Sequence, residues 1–460
     1  MPDPLNSAAF LILLAEAQLQ LDAGFSHLPE NPSTPLSEAA TTVLAEAATR
    51  LHDNYPYAHP LYAGQMLKPP HPVARAAYAL AMSVNPNNHA LDGGRASSAM
   101  ELEAVAEIAA MFGFPRQHLG HLTSSGTIAN LEALWVAGLT RSGKAIAASS
   151  QAHYTHTRIS GVLGIPFVPI PVDDTNRIDL VALESLLQTH QIGTVVATLG
   201  TTATGSVDPL DELLILQQKY GFRIHVDAAY GGYFTLAANT DAATCAAFAA
   251  IPRADSIVVD PHKHGLQPYG CGCVLFRDPA VGRFYKHDSP FTYFTSGALH
   301  LGEISLECSR AGASAVALWT TQRLLPLTPG GAFAQGISQG REAALDFYRR
   351  ISESPLFIAP IHPPQLDIVF YAAAAPTPAA SSALAQKIFD EAAKIDLHVA
   401  LARLSVTLFP SGTWSFNSET ASESTVLCLR SVFMKPEHLL WIERIWALLD
   451  AAANTVAASE

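Results

Sequence analysis

Paired cysteines are the first thing this sequence lacks. Its five cysteines (Cys245, Cys271, Cys273, Cys308 and Cys428) are odd in number, scattered, and form no CxxC spacing. That pattern gives no disulfide framework and fits a reducing cytoplasm. A basic surplus is missing too: 27 Lys and Arg stand against 40 Asp and Glu, a formal net charge of −13. Nucleic-acid backbones are met by basic faces, so no nucleic-acid partner is expected, although a local positive pocket for one small anion remains open. Long apolar runs are absent. The first stretch, MPDPLNSAAFLILLAEAQLQ, has no basic n-region, and its apolar run ends at Glu16, too short for a bilayer. It reads as an amphipathic helix, and no membrane association is expected. Charge is sparse at 15%, so much of the surface must be small or neutral residues, or be buried in an oligomer.

What is present is apolar material, 49% of 460 residues, enough for a large core and two or three units. The most informative stretch runs from His225 to Arg277. It opens with a buried strand over 222–226 that delivers Asp227, in HVDAAYGGYF. A second buried strand over 256–259 delivers Asp260-Pro261-His262-Lys263, in SIVVDPHKHG. In an open α/β sheet, ligands sit at the carboxyl ends of strands. A lysine there is partly desolvated and its amine freed for Schiff-base chemistry, while a carboxylate holds the ring-nitrogen proton of a pyridinium.

The remaining segments surround this pair. Residues 5–52 read as two helices about a Pro-rich break, the second capped by Ser37. Residues 55–72 are a loop rich in Pro, Tyr and His that contains Gln65. Helices are expected at about 73–84 and 99–112, separated by NPNN and DGG. In HLTSSGTIANLEALWVAG a small-residue turn leads into a helix near Gly126. The N–H groups of such a start bind phosphate, and Ser124, Ser125 and Thr127 add hydroxyls; a plain N-cap is the other reading. Gly138 to Lys144 resembles a P-loop, but Ala145 replaces the metal-binding hydroxyl and the segment precedes a strand, so no nucleotide site is expected. After strand 145–149, His153 lies over the ligand side, where an imidazole stacks on a pyridine ring or moves protons. His153 and His156 have no third metal ligand nearby in sequence, and no metal site is expected. Strand 194–200 delivers Thr201. Strand–helix alternation through 120–280 predicts a mainly parallel sheet with helices on both faces. The chain changes character near 352, and a helix (380–394), short strands (397–409, 425–434) and a last helix (436–453) make a small α+β unit. The units expected are 1–75, an N-terminal helical arm and substrate loop; 76–351, a large cofactor-binding domain; and 352–460, a small C-terminal domain.

HVDAAYGG followed by DPHKHG resembles the pyridoxal-phosphate-dependent group II amino-acid decarboxylases, which include the glutamate, aromatic amino-acid and archaeal tyrosine/aspartate decarboxylases. The resemblance covers about residues 55–450, with its four cofactor motifs in family order. It implies the type I fold of pyridoxal-phosphate enzymes, pyridoxal 5'-phosphate as cofactor, and a cytoplasmic homodimer with active sites at the subunit interface. Lys263 would be the Schiff-base lysine and Asp227 the partner of the ring nitrogen, with Ala229 and His262 beside them. Ser124, Ser125, Gly126 and Thr127 would hold the phosphate, Ser125 replacing a family glycine. His153 would stack on the ring and Thr201 lie beside it. Gln65, in the HPxxxxQ stretch, and Arg430 would meet the substrate, and Tyr293, in a lid-like loop before ECSRAG, would return a proton to the substrate carbon. His264 departs from the Trp or Met that relatives often carry there. The reaction implied is decarboxylation of an L-amino acid to the amine. The alternatives are an aldehyde lyase, aminotransferase or decarboxylation-dependent oxidase on the same cofactor, or, in an unlike class, a scaffold without cofactor or a nucleotide-binding protein. Gln65 and Arg430 suit an acidic substrate, and Tyr57, Tyr62, Phe291 and Tyr293 an aromatic one.

Overall fold

The structure is a computed structural model that describes residues 7–29, 37–286, 300–415 and 424–459. Helices α1 (Ser7–Gly24), α2 (Glu38–Leu51), α3 (Pro72–Val84) and α4 (Leu91–Met111) lead into a seven-stranded sheet. Its strands are β1 (Leu119–Thr123), β2 (Ala145–Ser149), β3 (Phe167–Ile170), β4 (Ile192–Thr198), β5 (Arg223–Asp227), β6 (Ser256–Val259) and β7 (Gly272–Phe276). Between and after them come α5 (Gly126–Thr140), α6 (Thr155–Leu163), α7 (Leu180–Thr189), α8 (Leu210–Tyr220), α9 (Ala242–Ala249) and α10 (Gly312–Leu324). Strand order is β1-β7-β6-β5-β4-β2-β3; β6, β5, β4, β2 and β3 run parallel, and β7 is antiparallel to both its neighbours.

Fully buried strands with apolar residues at successive positions must feed two cores, because side chains alternate across a sheet. Val226, Ile257 and Val259 enter the core shared with α4, α8 and α9. Val258 and Val274 enter the opposite one, against Ala129, Ala133 and Val136 of α5. The alternation fixes the direction of the polar residues too. His225 and Asp227 flank Val226, so both face the α5–α6 side, and Asp260 continues the face of Val258. The order reverses between β2 and β4, placing a topological switch point beside β4, the neighbour of β5.

Helix α11 (Ala332–Glu353) passes from one core to the next. Phe333, Ala334 and Ile337 pack with the large sheet, whereas Ala343, Ala344, Phe347 and Ile351 pack with a second sheet. That sheet is antiparallel, ordered β10-β11-β9-β8, from β8 (Phe357–Ile358), β9 (Ile368–Ala373), β10 (Ala400–Ser405) and β11 (Thr425–Val432), covered by α12 (Pro378–Ala393) and α13 (His438–Ala458). Sequence periodicity differs from the structure at three places. The helix expected from 99 begins at Leu91 and absorbs DGG through a kink at Gly94 (φ −162°, ψ 58°). HLT before the Ser-Ser-Gly turn belongs to β1, because a five-residue strand closed by β7 leaves almost no periodic signal of its own. β9 lies within the stretch read only as a change of character.

Candidate active site

Asp227 is the last residue of β5 and pairs in register with Val258 of the neighbouring parallel strand β6. The two strands therefore release Asp227 and the Asp260–Lys263 turn at one edge of the sheet. Asp227 is 4% exposed, and two donors hold it: His156 Nε2 lies 2.8 Å from Oδ2, and the Ala229 N–H donates to Oδ1 at 3.1 Å. Burial alone would raise its carboxyl. The His156 hydrogen bond, the charge of His156 and the charge of Lys263 together hold it well below the usual carboxylate range. Asp227 is thus a buried anion.

Lys263 is 23% exposed along its side chain, with Nζ 3.1 Å from Asp260 Oδ2. The turn that presents it is braced by His262, whose Nδ1 lies 2.7 Å from the Cys271 carbonyl and whose ring packs 4.8 Å from Tyr269. His153, at the end of β2, is half-buried, with Nδ1 2.8 Å from Thr155 Oγ1 and its ring 4.5 Å from that of Tyr154. Burial lowers its pKa, Asp227 opposes this, and Lys263 and His156 add to it. The charges of Asp227, Lys263 and Asp260 all reach His153, so the amine, the acid and the imidazole share one site.

The start of α5 faces the same turn. Ser125 is its N-cap, its Oγ accepting the Ile128 N–H at 3.3 Å. A Cβ on Gly126 would lie 2.5 Å from both carboxylate oxygens of Asp260, so only glycine allows this helix start to approach the Lys263 turn. Thr127 is exposed. The Ser124 N–H donates to Glu307 Oε2 at 2.8 Å, so a carboxylate of this chain occupies that donor. The segment carrying Glu307 is tied down by Arg310, whose Nη1 pairs with Glu101 Oε1 at 2.9 Å.

Other expected residues lie elsewhere or have other partners. Thr201 stands at the end of β4, but its hydroxyl is committed to a turn, 2.9 Å from Thr204 Oγ1 and accepting the Ser206 N–H at 3.1 Å. Arg430 is buried on β11, and its guanidinium donates to three backbone carbonyls: Ala203 (3.0 Å), Gly64 (3.2 Å) and Thr202 (2.6 Å). It clamps the small sheet to the 58–68 loop and to the end of β4. Gln65 is exposed on that loop, its N–H donating to the Tyr62 hydroxyl at 3.3 Å. Tyr293 and Phe291 fall outside the described residues.

Three contributors escaped sequence reasoning. His156 was weighed only as a metal partner of His153; its contact with Asp227 is long-range and has no local signal. Asp260, at the head of DPHK, sets both the lysine and the helix approach. His225 was legible by strand alternation, two residues before Asp227 on the same face. Its Nε2 lies 2.8 Å from Asn130 Oδ1 and its Nδ1 2.9 Å from Ser256 Oγ, and Asn130 Nδ2 donates to the Gly126 carbonyl at 2.9 Å. Burial and the neighbouring His156 push the His225 pKa down to about 3. A neutral ring thus fixes α5 on the sheet.

Residues 58–371 match the model of the pyridoxal-dependent decarboxylase conserved domain. Relatives include an L-tyrosine decarboxylase of Enterococcus faecium, 30% identical over 62% of this chain and 63% of that protein. An aspartate 1-decarboxylase of Aliivibrio fischeri is 34% identical over 42% of this chain and 40% of that protein. The chain spans less than two thirds of the length of these relatives, 63% and 40%. Among solved structures, Oryza sativa TDC with PLP and tryptamine superimposes with TM-score 0.78 at 18% identity, covering 99% of both chains. Mouse CSAD superimposes with TM-score 0.77 at 20% identity, covering 98% of this chain and 99% of that one.

Proposed function

The chain belongs to the pyridoxal-dependent decarboxylase family, and on that premise we propose that it removes the carboxylate of an L-amino acid as carbon dioxide and releases the amine. The observation that carries this reading is the buried anion Asp227 and the Lys263 amine at adjacent strand ends, in front of the start of α5. The donor set fits pyridoxal 5'-phosphate: an amine for its aldehyde, a carboxylate held ionised for its ring nitrogen, and a helix start for its phosphate. The buried Asp260 Oδ1, left without a hydrogen-bond partner beside Gly126, also fits a site made to hold a further polar group. Bound there, the cofactor supplies an electron sink for the pair released when the bond from Cα to the carboxylate breaks.

Each residue then has a task. Lys263 would hold the cofactor through its aldehyde carbon, with its amine placed to do so by the Asp260–Lys263 turn. Asp260 orients the Lys263 ammonium. Asp227 holds the ring-nitrogen proton, and His156 fixes the Asp227 carboxylate in the rotamer that does so. His153 would lie against the ring and help exclude water from it. Ser125, Gly126 and Thr127 would hold the phosphate, with the Ser124 N–H now taken by Glu307 as a further donor. Tyr293 returns a proton to Cα, a role that rests on the resemblance of its loop.

An aromatic L-amino acid of the tyrosine class is the better-supported substrate. Arg430 gives hydrogen bonds to three backbone carbonyls, whereas Tyr57 and Tyr62 pack edge-on at 4.9 Å beside Gln65. A cytoplasmic homodimer belongs to the same reading. Helices α1 and α2 bury no residue and leave Leu11, Ile12, Leu19, Val43, Leu44 and Leu51 exposed, surface that a second copy would cover. The cysteines are all free, and no helix among the described residues is long and apolar enough to cross a membrane. The test is to incubate the holoenzyme with individual amino acids, measuring carbon dioxide and identifying products by mass. Tyramine with equimolar carbon dioxide from tyrosine supports the reading; keto-acid or aldehyde products without carbon dioxide overturn it.

A further inference from the structure

Behind the Lys263 turn, two lysines clasp each other's segments. Lys68 Nζ donates to the Met434 carbonyl at 3.0 Å, and Lys435 Nζ donates to the Tyr62 carbonyl at 2.6 Å. The groups that hold these ammoniums are carbonyls, not carboxylates. Lys435 is only 2% exposed, and Lys68 is half-buried. Burial lowers Lys68 to about 8 against the charges of Asp367 and Glu437, and burial and repulsion from Lys68 lower Lys435 to about 7 against the charge of Glu437. Each ammonium is therefore undercompensated.

Both lysines line a cavity of about 220 Å³ that Lys263 does not line. His264 forms part of its wall, with its side chain 2% exposed and neither ring nitrogen hydrogen-bonded. Its Nε2 lies 3.3 Å from Asp367 Oδ2, and that acid already accepts the Tyr230 hydroxyl at 2.5 Å through its other oxygen. Three helix starts also border the cavity: Pro72 opens α3, Ala332 opens α11, and Pro436 and Glu437 precede α13. Neither α11 nor α13 has a side-chain cap, but the His438, Leu439 and Leu440 N–H groups of α13 turn back onto the Lys435, Pro436 and Glu437 carbonyls, so it is the start of α11 that adds positive character. Leu266, Leu325, Phe333 and Ile337 complete an apolar wall, and exposed Glu437 stands as the one acidic lining residue.

We propose that this cavity is a second ligand site, separate from the active site, that binds a small doubly charged oxyanion, either a dicarboxylate or inorganic phosphate. The buried Lys435 ammonium, the half-buried Lys68 ammonium and the uncapped start of α11 match such an anion, and the volume admits a short dicarboxylate. Occupancy screens the Lys68–Lys435 repulsion and tightens the clasp between the Gln65 loop and the β11–α13 connection. It also acts on His264, the residue next to Lys263. The site stands whichever reaction the enzyme catalyses.

The test titrates holoenzyme saturated with cofactor, by calorimetry, with succinate and with inorganic phosphate separately. Saturable binding of either probe, weakened about tenfold or more in Lys435→Met, supports the site; the probe that binds identifies the source, and binding of both assigns a general oxyanion site. Ala332→Trp, at an exposed position on the rim, fills the mouth without touching either lysine. It should abolish binding while leaving the melting temperature and cofactor absorbance unchanged, and it decides the matter if Lys435→Met does not fold. No binding of either probe up to about 10 mM, or binding that survives Ala332→Trp, overturns the proposal.

Discussion

His156 Nε2 lies 2.8 Å from Asp227 Oδ2, and both side chains are buried. The contact joins the first turn of α6 to the end of β5, so the acid is fixed in place before any ligand arrives. A carboxylate free to rotate would hold a ring-nitrogen proton only part of the time.

Replacing His156 with Ala should therefore weaken cofactor affinity and lower kcat together, with KM changing less. It should also destabilise the fold by about 1–3 kcal/mol, the cost of leaving a buried acceptor unsatisfied. Cofactor titration by absorbance and denaturant unfolding check both. Wild-type stability and cofactor binding would contradict the role.

The depressed Asp227 carboxyl carries a pH signature. A group whose folded pKa lies below its unfolded value of about 3.9 contributes stability that is fully present above that value, and loses it as pH falls through the folded value. Wild-type protein should lose stability as pH drops below about 4, and Asp227→Asn should remove part of that dependence. Denaturant midpoints measured between neutral and acid pH test it; identical profiles would contradict it.

Glu307 accepts the Ser124 N–H, which the proposed phosphate site would need. Glu307→Gln removes the charge while keeping the length of the side chain. Apoenzyme should then bind pyridoxal phosphate roughly 5-fold more tightly, the equivalent of about 1 kcal/mol. An unchanged or weaker affinity would show that the carboxylate does not oppose the cofactor.

Gly126→Ala places a methyl 2.5 Å from the Asp260 carboxylate. The start of α5 must move away, with a loss of about 1–3 kcal/mol and much weaker cofactor binding. Thermal melting and absorbance titration measure these; a variant with normal affinity would show that the close approach is not needed.

How far these features were legible follows from their range. Asp227 and Lys263 stood out because buried strands and their following turns are contiguous in sequence, and β5 and β6 lie side by side as the alternation implied. The small antiparallel unit was visible in part, but β9 was hidden in a Pro-rich stretch. The motifs put Thr201 beside the cofactor and Arg430 beside the substrate, but the polar atoms of both hold a turn and three carbonyls, which motif position does not reveal. His156 on Asp227 and Glu307 on Ser124 join residues 71 and 183 positions apart, and such pairs emerge only from the packed chain.

The most direct measurement is borohydride reduction of the yellow holoenzyme followed by peptide mass mapping. The predicted result is one pyridoxyl-phosphate group, carried by Lys263, with loss of the visible band and no labelling in Lys263→Ala. A label on Lys68, Lys435 or any other lysine, or none at all, would contradict the account.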